Sequence, residues 1–199
     1  MVLLIVLAGA AALAAQQAYA ATDSDVPDFN APLDPATQDS IIMDTMQATP
    51  EARLAAFLAL IRKFESRNRY NVVYGGGTFT DYSTHPRIKV YFHDPRRAEP
   101  GNNNYTTAAG AYQITSTTFD DFSRKTKTTD FSPATQDLLA MAILKQSGAY
   151  DAIVAGDISS ALNLASKRWA SLPGSTSGQA QQTQAAATTA FDDFLRSMS

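Results

Sequence analysis

The chain has 199 residues, 45% of them hydrophobic and 18% charged, which suffices for one ordinary globular domain with short appendages. It has no cysteine, and this excludes disulfide bonds, thiolate nucleophiles and cysteine-bound zinc. The formal net charge is −3, yet no Lys or Arg precedes Arg53. Residues 53–199 contain all 16 basic residues and 12 of the 19 acidic ones, which gives this part of the chain a net charge of 16 − 12 = +4. This positive charge suits an anionic polymer but does not identify it.

The first 20 residues carry the pattern of a signal peptide or a weak membrane anchor. Residues 2–15 form an apolar run, shorter than the about 20 residues that a membrane-spanning helix needs. Ala18-Tyr19-Ala20 then provides an A-x-A cleavage site, although only the terminal amine is positive before the run. We expect export by a cleaved signal; a retained anchor and a buried N-terminal helix are the alternatives. Both signal-like interpretations place the product outside the cytoplasm.

Residues 21–49 are acidic and interrupted by prolines, which predicts a linker with one short helix at about residues 38–46. The ordered domain is predicted to span residues 50–199. Thr49-Pro50-Glu51 marks its start, because these residues supply a helix N-cap, a proline at the first helical position and an acid in the first turn.

The elements predicted in this domain are mostly helical. A first helix runs to about Arg67, and residues 72–79 form two short β-prone pieces around a glycine turn. Residues 92–107 have the composition of a loop, with two prolines and three consecutive asparagines. Further helices are predicted over residues 114–125, 133–148, 159–172 and 179–198, the third closed by Pro173-Gly174. The predicted fold class is therefore α+β, mostly helical, with a small β element.

The first helix carries the candidate catalytic residue, Glu65. On a helical wheel Glu65 lies in the middle of an apolar stripe, whereas Lys63, Ser66 and Arg67 point elsewhere. The stripe consists of Leu54, Phe57, Leu58 and Ile61. A carboxyl on such a face loses water, so its pKa should rise until a proton is available near neutral pH for general acid catalysis. The alternative is a structural acid that reaches outward to solvent or pairs with an arginine.

Ordered fragments across the chain resemble the lysozyme family of phage lambda, which are lytic transglycosylases of bacteriophage type. The fragments are Phe64-Glu65-Ser66, Tyr70-Asn71-Val72-Val73-Tyr74-Gly75-Gly76, Phe79-Thr80-Asp81-Tyr82-Ser83, His85-Pro86-Arg87, Gly110-Ala111-Tyr112-Gln113-Ile114, Phe131-Ser132-Pro133 with Gln136-Asp137, and Trp169-Ala170-Ser171-Leu172-Pro173-Gly174 with Gly178-Gln179. No single fragment is specific, but the ordered set, over roughly residues 53–179, is.

The resemblance implies a lysozyme-like fold, in which a helical body and a small β-sheet flank a saccharide cleft. It also implies that Glu65 matches the family's single catalytic carboxylate. In the family reaction this acid protonates the oxygen that leaves N-acetylmuramic acid. The carboxylate then removes a proton from the 6-hydroxyl of that sugar, which closes a 1,6-anhydro ring. One group acts first as acid and then as base, and no nucleophilic aspartate is needed.

Four further residues are candidate substrate-binding residues. Asp81 and Tyr82 follow the glycine turn and are predicted to line the cleft; the alternative is an ordinary position at a strand edge. Tyr112 and Gln113 resemble the cleft tyrosine–glutamine pair of lysozyme-like transglycosylases; the alternative is the buried start of a strand or helix. Trp169 is predicted to pack in the core.

No cofactor and no metal are predicted. His85 and His93 lack a second ligand at metal-binding spacing, and His85 lies in a turn before a proline. The expected partner is the glycan strand of bacterial peptidoglycan, with no nucleic acid. We expect a monomer in the periplasm, outside the cell or on a virion, with transient membrane association of the N-terminal segment as a further option.

Two positions and one loop depart from the family pattern. The family has Asp where this chain has Asn71, and an aromatic residue near the cleft where this chain has Ser177. The loop of residues 94–107 is also longer and rich in asparagine. These departures predict that one lip of the cleft is rebuilt, while Glu65 is unaffected.

The sequence therefore predicts a lytic transglycosylase that cleaves the β-1,4 bond between N-acetylmuramic acid and N-acetylglucosamine. The nearest alternative is a hydrolytic lysozyme in which Asp81 helps to activate water. The alternative from another class is a non-catalytic wall-binding or virion structural protein that kept the fold.

Overall fold

A computed structural model describes residues 48–92, 104–176 and 181–198 of the protein. The predicted signal peptide or anchor, the short helix at residues 38–46 and nearly all of the predicted linker lie outside the described residues. Within the described residues no single helix is long and apolar enough to cross a membrane.

The first helix, α1 (Pro50–Ser66), begins where its capping pattern predicts and ends next to the predicted end at about Arg67. The Thr49 side chain accepts a hydrogen bond from the Ala52 N–H at 3.2 Å, which satisfies a donor that the first turn leaves unpaired. At the other end Arg67 adopts a left-handed backbone with φ 56°, and its N–H bonds back to the Lys63 carbonyl. This left-handed residue terminates α1.

The middle of α1 is buried on more sides than one apolar stripe predicts. Residues 56–61 are all buried, because later helices pack around α1. Ser66, which was predicted to point away from the stripe, is only 4% exposed, and its hydroxyl donates to the Arg62 carbonyl at 3.0 Å. The burial of Ser66 shows that this side of the helix end is covered as well as the apolar stripe.

Five further helices follow in the described part of the chain. They are α2 (Ser116–Thr126), α3 (Pro133–Ser147), α4 (Ala149–Ala155), α5 (Ile158–Ala165) and α6 (Gln184–Ser197). The helices predicted over residues 114–125, 133–148 and 179–198 are confirmed, although the last begins only at Gln184. Side-chain caps at Thr115, Ser132 and Thr183 start three of them.

The helix predicted over residues 159–172 is wrong in its second half. α5 ends at Ala165, and the chain continues in turns in which the Leu172 N–H bonds to the Trp169 carbonyl. Trp169 and Leu172 are both fully buried. Burial of these two side chains outweighs the local helical pattern. The short helix α4 was not predicted either; Gly148, with φ 78°, separates it from α3.

The β structure lies partly in a segment that was predicted as loop. Strand β1 (Val90–Tyr91) pairs antiparallel with β2 (Tyr105–Thr106), and the latter falls at the end of the predicted loop of residues 92–107. Pairing between two short segments is a non-local effect, so loop composition alone misses it. The two β-prone pieces at residues 72–79 meet in a single bridge, Val72 to Thr78, around a 3-10 turn.

The core is built around α1, which packs against α6, α4 and α3. Phe57 of α1 meets Phe191 of α6 edge-on, with 6.3 Å between ring centroids. The largest fully buried aromatic side chains are Trp169, Tyr112, Phe57, Phe131 and Phe191. The predicted fold class is confirmed: the domain is mostly helical, with a small antiparallel sheet. The packing brings the end of α1 against the turn that follows α5.

Candidate active site

Glu65 lies in the last turn of α1 and is 8% exposed. Removal from water disfavours the charged carboxylate, and this burial raises the pKa of Glu65 from its ordinary 4.5 to about 7. The burial and the raised pKa that the apolar stripe predicts are thus present. Glu65 therefore holds a proton near neutral pH and can give it to a bound substrate.

Ser171 is the hydrogen-bond partner of Glu65. Its hydroxyl donates to Glu65 Oε1 at 2.5 Å, within hydrogen-bond distance of a carboxyl oxygen. This bond, together with one from the Ser171 backbone, favours the carboxylate and opposes part of the pKa rise. Ser171 also orients the carboxyl group. The pair therefore combines a group that can give and retake a proton with a donor that holds it in place.

Sequence reasoning missed Ser171 as a site residue. The residue falls in one of the family-like fragments, but 106 positions separate it from Glu65. No local periodicity links two residues so far apart. The turns at residues 166–172, which the sequence predicts as helix, are what direct Ser171 toward the end of α1.

Asp81 and Tyr82 occupy an exposed turn after the 3-10 segment. Asp81 is exposed, and its Oδ1 accepts the Ser83 N–H at 2.8 Å; this bond lowers the pKa of Asp81 below its ordinary value. Tyr82 is half-buried, with its ring edge-on to Phe79 at 5.2 Å between centroids. Both side chains have exposed surface that a substrate can reach. Their contact with the glycan stays a prediction.

Tyr112 is fully buried, and its surroundings are those of a structural residue. Its hydroxyl donates to Asp137 Oδ1 at 2.6 Å and accepts from Arg62 Nη1 at 2.9 Å. Burial and the neighbouring carboxylate raise the pKa of Tyr112. A side chain with no exposed surface does not reach a sugar from this position. The structure therefore favours the buried alternative over the predicted substrate contact of Tyr112.

Gln113 is also buried, at 3% exposure, and it has a left-handed backbone with φ 48°. Its side-chain Nε2 donates to the Gly110 carbonyl at 3.0 Å, which closes a tight turn. The burial and this bond within the turn match the alternative given for Gln113, the buried start of a strand or helix. The predicted hydrogen bond from Gln113 to substrate stays a prediction.

His85 has a structural environment. Its Nε2 lies 2.8 Å from the Ile114 carbonyl, its Nδ1 accepts the Arg87 N–H at 3.1 Å, and burial lowers its pKa to about 4. Both ring nitrogens are therefore engaged. Within the described residues no group of three or more His, Cys, Asp or Glu side chains could hold a metal ion. His93 and Ser177 lie outside the described residues.

The fold and the site together define the lysozyme class: a mostly helical α+β domain whose first helix ends at a buried glutamate that carries a proton. The family model described as Endolysin matches residues 55–195, and the chain belongs to this family. The resemblance to the phage lambda lysozyme family is thereby confirmed. The chain is an enzyme that cleaves glycosidic bonds of the bacterial cell wall.

Two relatives carry the similarity at the level of sequence. The endolysin of Escherichia phage lambda is 40% identical over 116 residues, which are 58% of this chain and 68% of the relative. The endolysin of Escherichia phage P2 is 33% identical over 144 residues, which are 65% of this chain and 85% of the relative.

Solved structures carry the similarity at the level of the fold. Bacteriophage lambda lysozyme complexed with a chitohexasaccharide superimposes with a TM-score of 0.64 at 34% identity, covering 72% of this chain and 94% of the lysozyme. A second structure of lysozyme from bacteriophage lambda gives a TM-score of 0.58 at 31% identity, covering 73% and 93%. The lysozyme-like fold that the sequence predicts is confirmed.

Proposed function

We propose that this endolysin is a lytic transglycosylase acting on the β-1,4 bond between N-acetylmuramic acid and N-acetylglucosamine, with Glu65 as acid and then base. The observation that carries the proposal is the environment of Glu65, a buried carboxyl with a pKa of about 7 that is held by a serine. A group whose pKa lies near the working pH is suited both to give and to retake a proton.

The reaction proceeds in two steps that together consume no water. Glu65 donates its proton to the glycosidic oxygen, the C1–O bond of N-acetylmuramic acid breaks, and N-acetylglucosamine leaves with a free 4-hydroxyl. The Glu65 carboxylate then takes the proton from the 6-hydroxyl, whose oxygen forms a new bond to C1. The products are a 1,6-anhydro end and a protonated Glu65, ready for the next cycle.

The hydrogen bonding of Asp81 and Glu65 supports transglycosylation over hydrolysis. A hydrolase that activates water with a second carboxylate needs that group held beside the scissile bond. One oxygen of Asp81 is already engaged by the Ser83 N–H, and no carboxylate is among the groups that shift the pKa of Glu65. Among the described residues, only Ser171 contributes to the hydrogen bonding that shifts Glu65. A single acid–base residue is therefore the simpler account of this site.

Mass spectrometry of digested peptidoglycan tests the proposal. Transglycosylation leaves 1,6-anhydro-N-acetylmuramic acid ends, whereas hydrolysis leaves reducing ends that carry one more water. A digest in which reducing ends predominate overturns the proposed reaction in favour of a hydrolytic lysozyme. The matched control is the same digest with Glu65→Gln, which should release neither product.

The non-catalytic alternative is tested separately with a zymogram of the purified protein in a gel that contains cell walls. A wall-binding or virion structural protein retains walls without clearing them. The burial of Glu65 argues against that alternative, because an ionisable group with a raised pKa is costly to keep in a protein that does not use it.

We propose that the substrate is the glycan strand of peptidoglycan. A structural neighbour, bacteriophage lambda lysozyme, is complexed with a chitohexasaccharide, so the fold accommodates a saccharide chain in that protein. The chain from Arg53 onward carries a modest excess of basic residues, which suits an anionic wall. We expect the enzyme to act as a monomer.

We further propose that residues 1–20 direct the enzyme out of the cytoplasm and that residues 21–49 serve as a linker. The apolar run and the Ala18-Tyr19-Ala20 site support export, and the linker carries none of the family fragments. A chain beginning at Ala48 should then fold and cleave purified walls as the full chain does. Loss of folding in the shortened chain would show that α1 needs the preceding segment.

A further inference from the structure

The hydrogen bond between Glu65 and Ser171 joins two segments that meet only in the folded domain. Glu65 lies in the last turn of α1, and Ser171 lies in the turns after α5. A donor–acceptor distance of 2.5 Å tolerates little relative movement of these segments. Something must therefore hold the end of α1 and this turn in register.

Tyr112 is bonded to both of these segments. Its hydroxyl accepts from Arg62 Nη1 at 2.9 Å, and Arg62 lies three residues before Glu65 on α1. Its backbone carbonyl accepts from Trp169 Nε1 at 3.1 Å, and Trp169 lies two residues before Ser171. Tyr112 and Trp169 are both fully buried. One residue thus links the flanks of the Glu65–Ser171 pair from inside the core.

Asp137 anchors the hydroxyl end of this link to α3. Its Oδ1 accepts from the Tyr112 hydroxyl at 2.6 Å and from the Tyr70 hydroxyl at 2.8 Å, and it lies 3.5 Å from Arg62 Nη1. The Arg62 and Asp137 side chains are 20% and 35% exposed, so each keeps contact with solvent. The Arg62 guanidinium also lies over the Tyr112 ring, 5.9 Å from its centroid.

Gln136, the neighbour of Asp137 on α3, also binds the segment that contains Tyr112. Gln136 is fully buried, its Oε1 accepts the Ala111 N–H at 2.8 Å, and its Nε2 donates to the Tyr70 carbonyl at 3.0 Å. A Cβ atom at Gly110 would lie 2.2 Å from Gln136 Oε1, so only glycine permits this approach. The backbone around Tyr112 is therefore rigidly placed.

We infer that Tyr112, with Arg62 and Asp137, forms a positioning unit that keeps Glu65 and Ser171 at hydrogen-bond distance during the reaction. The inference rests on the proposed function, because it assigns Tyr112 to the service of Glu65 as acid and base. The unit acts by positioning Glu65 and Ser171, not through its own charges. Burial and the Ser171 hydrogen bonds determine the pKa of Glu65, and the charges of Arg62 and Asp137 do not contribute to the shift. Tyr112 itself touches no substrate.

Tyr112→Phe tests the inference, because it removes the hydroxyl and leaves the ring and the Trp169 bond in place. We expect kcat on soluble glycan strands to fall about fivefold to tenfold, the effect of one hydrogen bond, with KM unchanged. The high-pH limb of the rate profile, where Glu65 loses its proton, should move to higher pH, since a misplaced Ser171 no longer favours the carboxylate. Ser171→Ala should move that limb in the same direction and further.

The double variant Tyr112→Phe with Ser171→Ala makes the test specific. If Tyr112 acts through Ser171, the double variant has the kcat and the pH limb of Ser171→Ala alone. Additive losses would overturn the inference. The matched control is Tyr150→Phe on α4, a half-buried tyrosine whose ring contacts Lys145, and it should leave both kcat and the pH limb unchanged.

Other outcomes also overturn the inference. A rise in KM with unchanged kcat would place Tyr112 in substrate binding, and a lower melting temperature with unchanged kcat would leave it a purely structural role. Should Tyr112→Phe fail to fold, Arg62→Met, at a partly exposed side chain, must show the same shift of the pH limb. Glu65→Gln in the same assay keeps the proposed function separate: retained activity there overturns Glu65 as the acid, whatever Tyr112→Phe does.

Discussion

Two carboxyl groups of this endolysin, Glu65 and Asp81, lie in opposite environments. Glu65 is enclosed between α1 and the turn after α5, and burial raises its pKa to about 7. Asp81 stands in an exposed turn, where the Ser83 N–H lowers its pKa. The same chemical group is therefore protonated in one region near neutral pH and ionised in the other. Environment, more than residue type, decides which of the two carboxyl groups keeps a proton.

The two regions also differ in how they are held. The surroundings of Glu65 are connected across four segments through the buried Tyr112, which is bonded to Arg62, Asp137 and Trp169. The turn of Asp81 is held by a local bond across two residues. A site that must orient a proton donor gains from rigid surroundings, whereas an exposed turn can adjust to a glycan.

The largest expected effect is the loss of wall cleavage on replacement of Glu65, which distinguishes Glu65 from Asp81. Glu65→Gln keeps the shape of the side chain but cannot act as acid or base, so wall cleavage should fall at least about 10²–10⁴-fold. Turbidity of stripped cell walls measures the rate, and near-UV circular dichroism checks the fold. Glu51→Gln, at an exposed position in the first turn of α1, is the matched control. More than about a tenth of the activity in Glu65→Gln would rule Glu65 out as the acid.

The same two groups should affect stability with opposite pH dependence. Because the pKa of Glu65 is higher in the folded protein than its ordinary 4.5, its contribution to stability is fully present below that value and is lost as pH rises through about 7. The difference in free energy of unfolding between wild type and Glu65→Gln should therefore fall by about 3 kcal/mol from pH 4 to pH 8.

Denaturant unfolding at a series of pH values measures this difference. Asp81→Asn provides the comparison, since the pKa of Asp81 is lowered in the folded protein and its contribution is instead lost as pH falls. If the free energies of unfolding of wild type and Glu65→Gln differ by the same amount at every pH from 4 to 8, burial does not shift the pKa of Glu65.

Ser171→Ala should have an intermediate effect, because it removes the donor that orients Glu65. We expect kcat to fall about tenfold, in the range of a hydrogen bond to a charged group. The high-pH limb of the profile should move upward, since the lost bond favoured the carboxylate. Ser147→Ala, at the far end of α3, removes a comparable hydroxyl bond and should change neither quantity. An unmoved pH limb in Ser171→Ala would mean that the serine does not act on the Glu65 proton.

Asp81→Asn should have the smallest effect on catalysis. If Asp81 only contacts the glycan, its loss costs about one hydrogen bond, so KM should rise by at most about tenfold while turnover is retained. Initial rates over a range of glycan concentrations separate the two constants. If turnover instead fell by about two powers of ten or more, the loss expected for a general base, Asp81 would be assigned to water activation and the hydrolytic lysozyme favoured.

Local sequence determined most helices and the position of the acid. Thr49 predicts a helix start that the structure confirms, because a cap depends on residues within one turn of it. The burial of Glu65 was also predictable, since its stripe repeats along a single helix. The predicted helix across residues 166–172 failed because the burial of Trp169 and Leu172 is decided by the rest of the domain.

The partners of the acid were decided only by the tertiary structure. Ser171 meets Glu65 across 106 residues, and no periodicity in the chain reports such a contact. For Tyr112 the sequence allowed both a cleft position and a buried one, because an aromatic residue with a hydroxyl suits either. Packing resolved this by enclosing the ring and directing the hydroxyl to Arg62 and Asp137. Local sequence thus placed Glu65 on a buried helix face, while long-range packing determined which groups surround it and therefore at which pH it loses its proton.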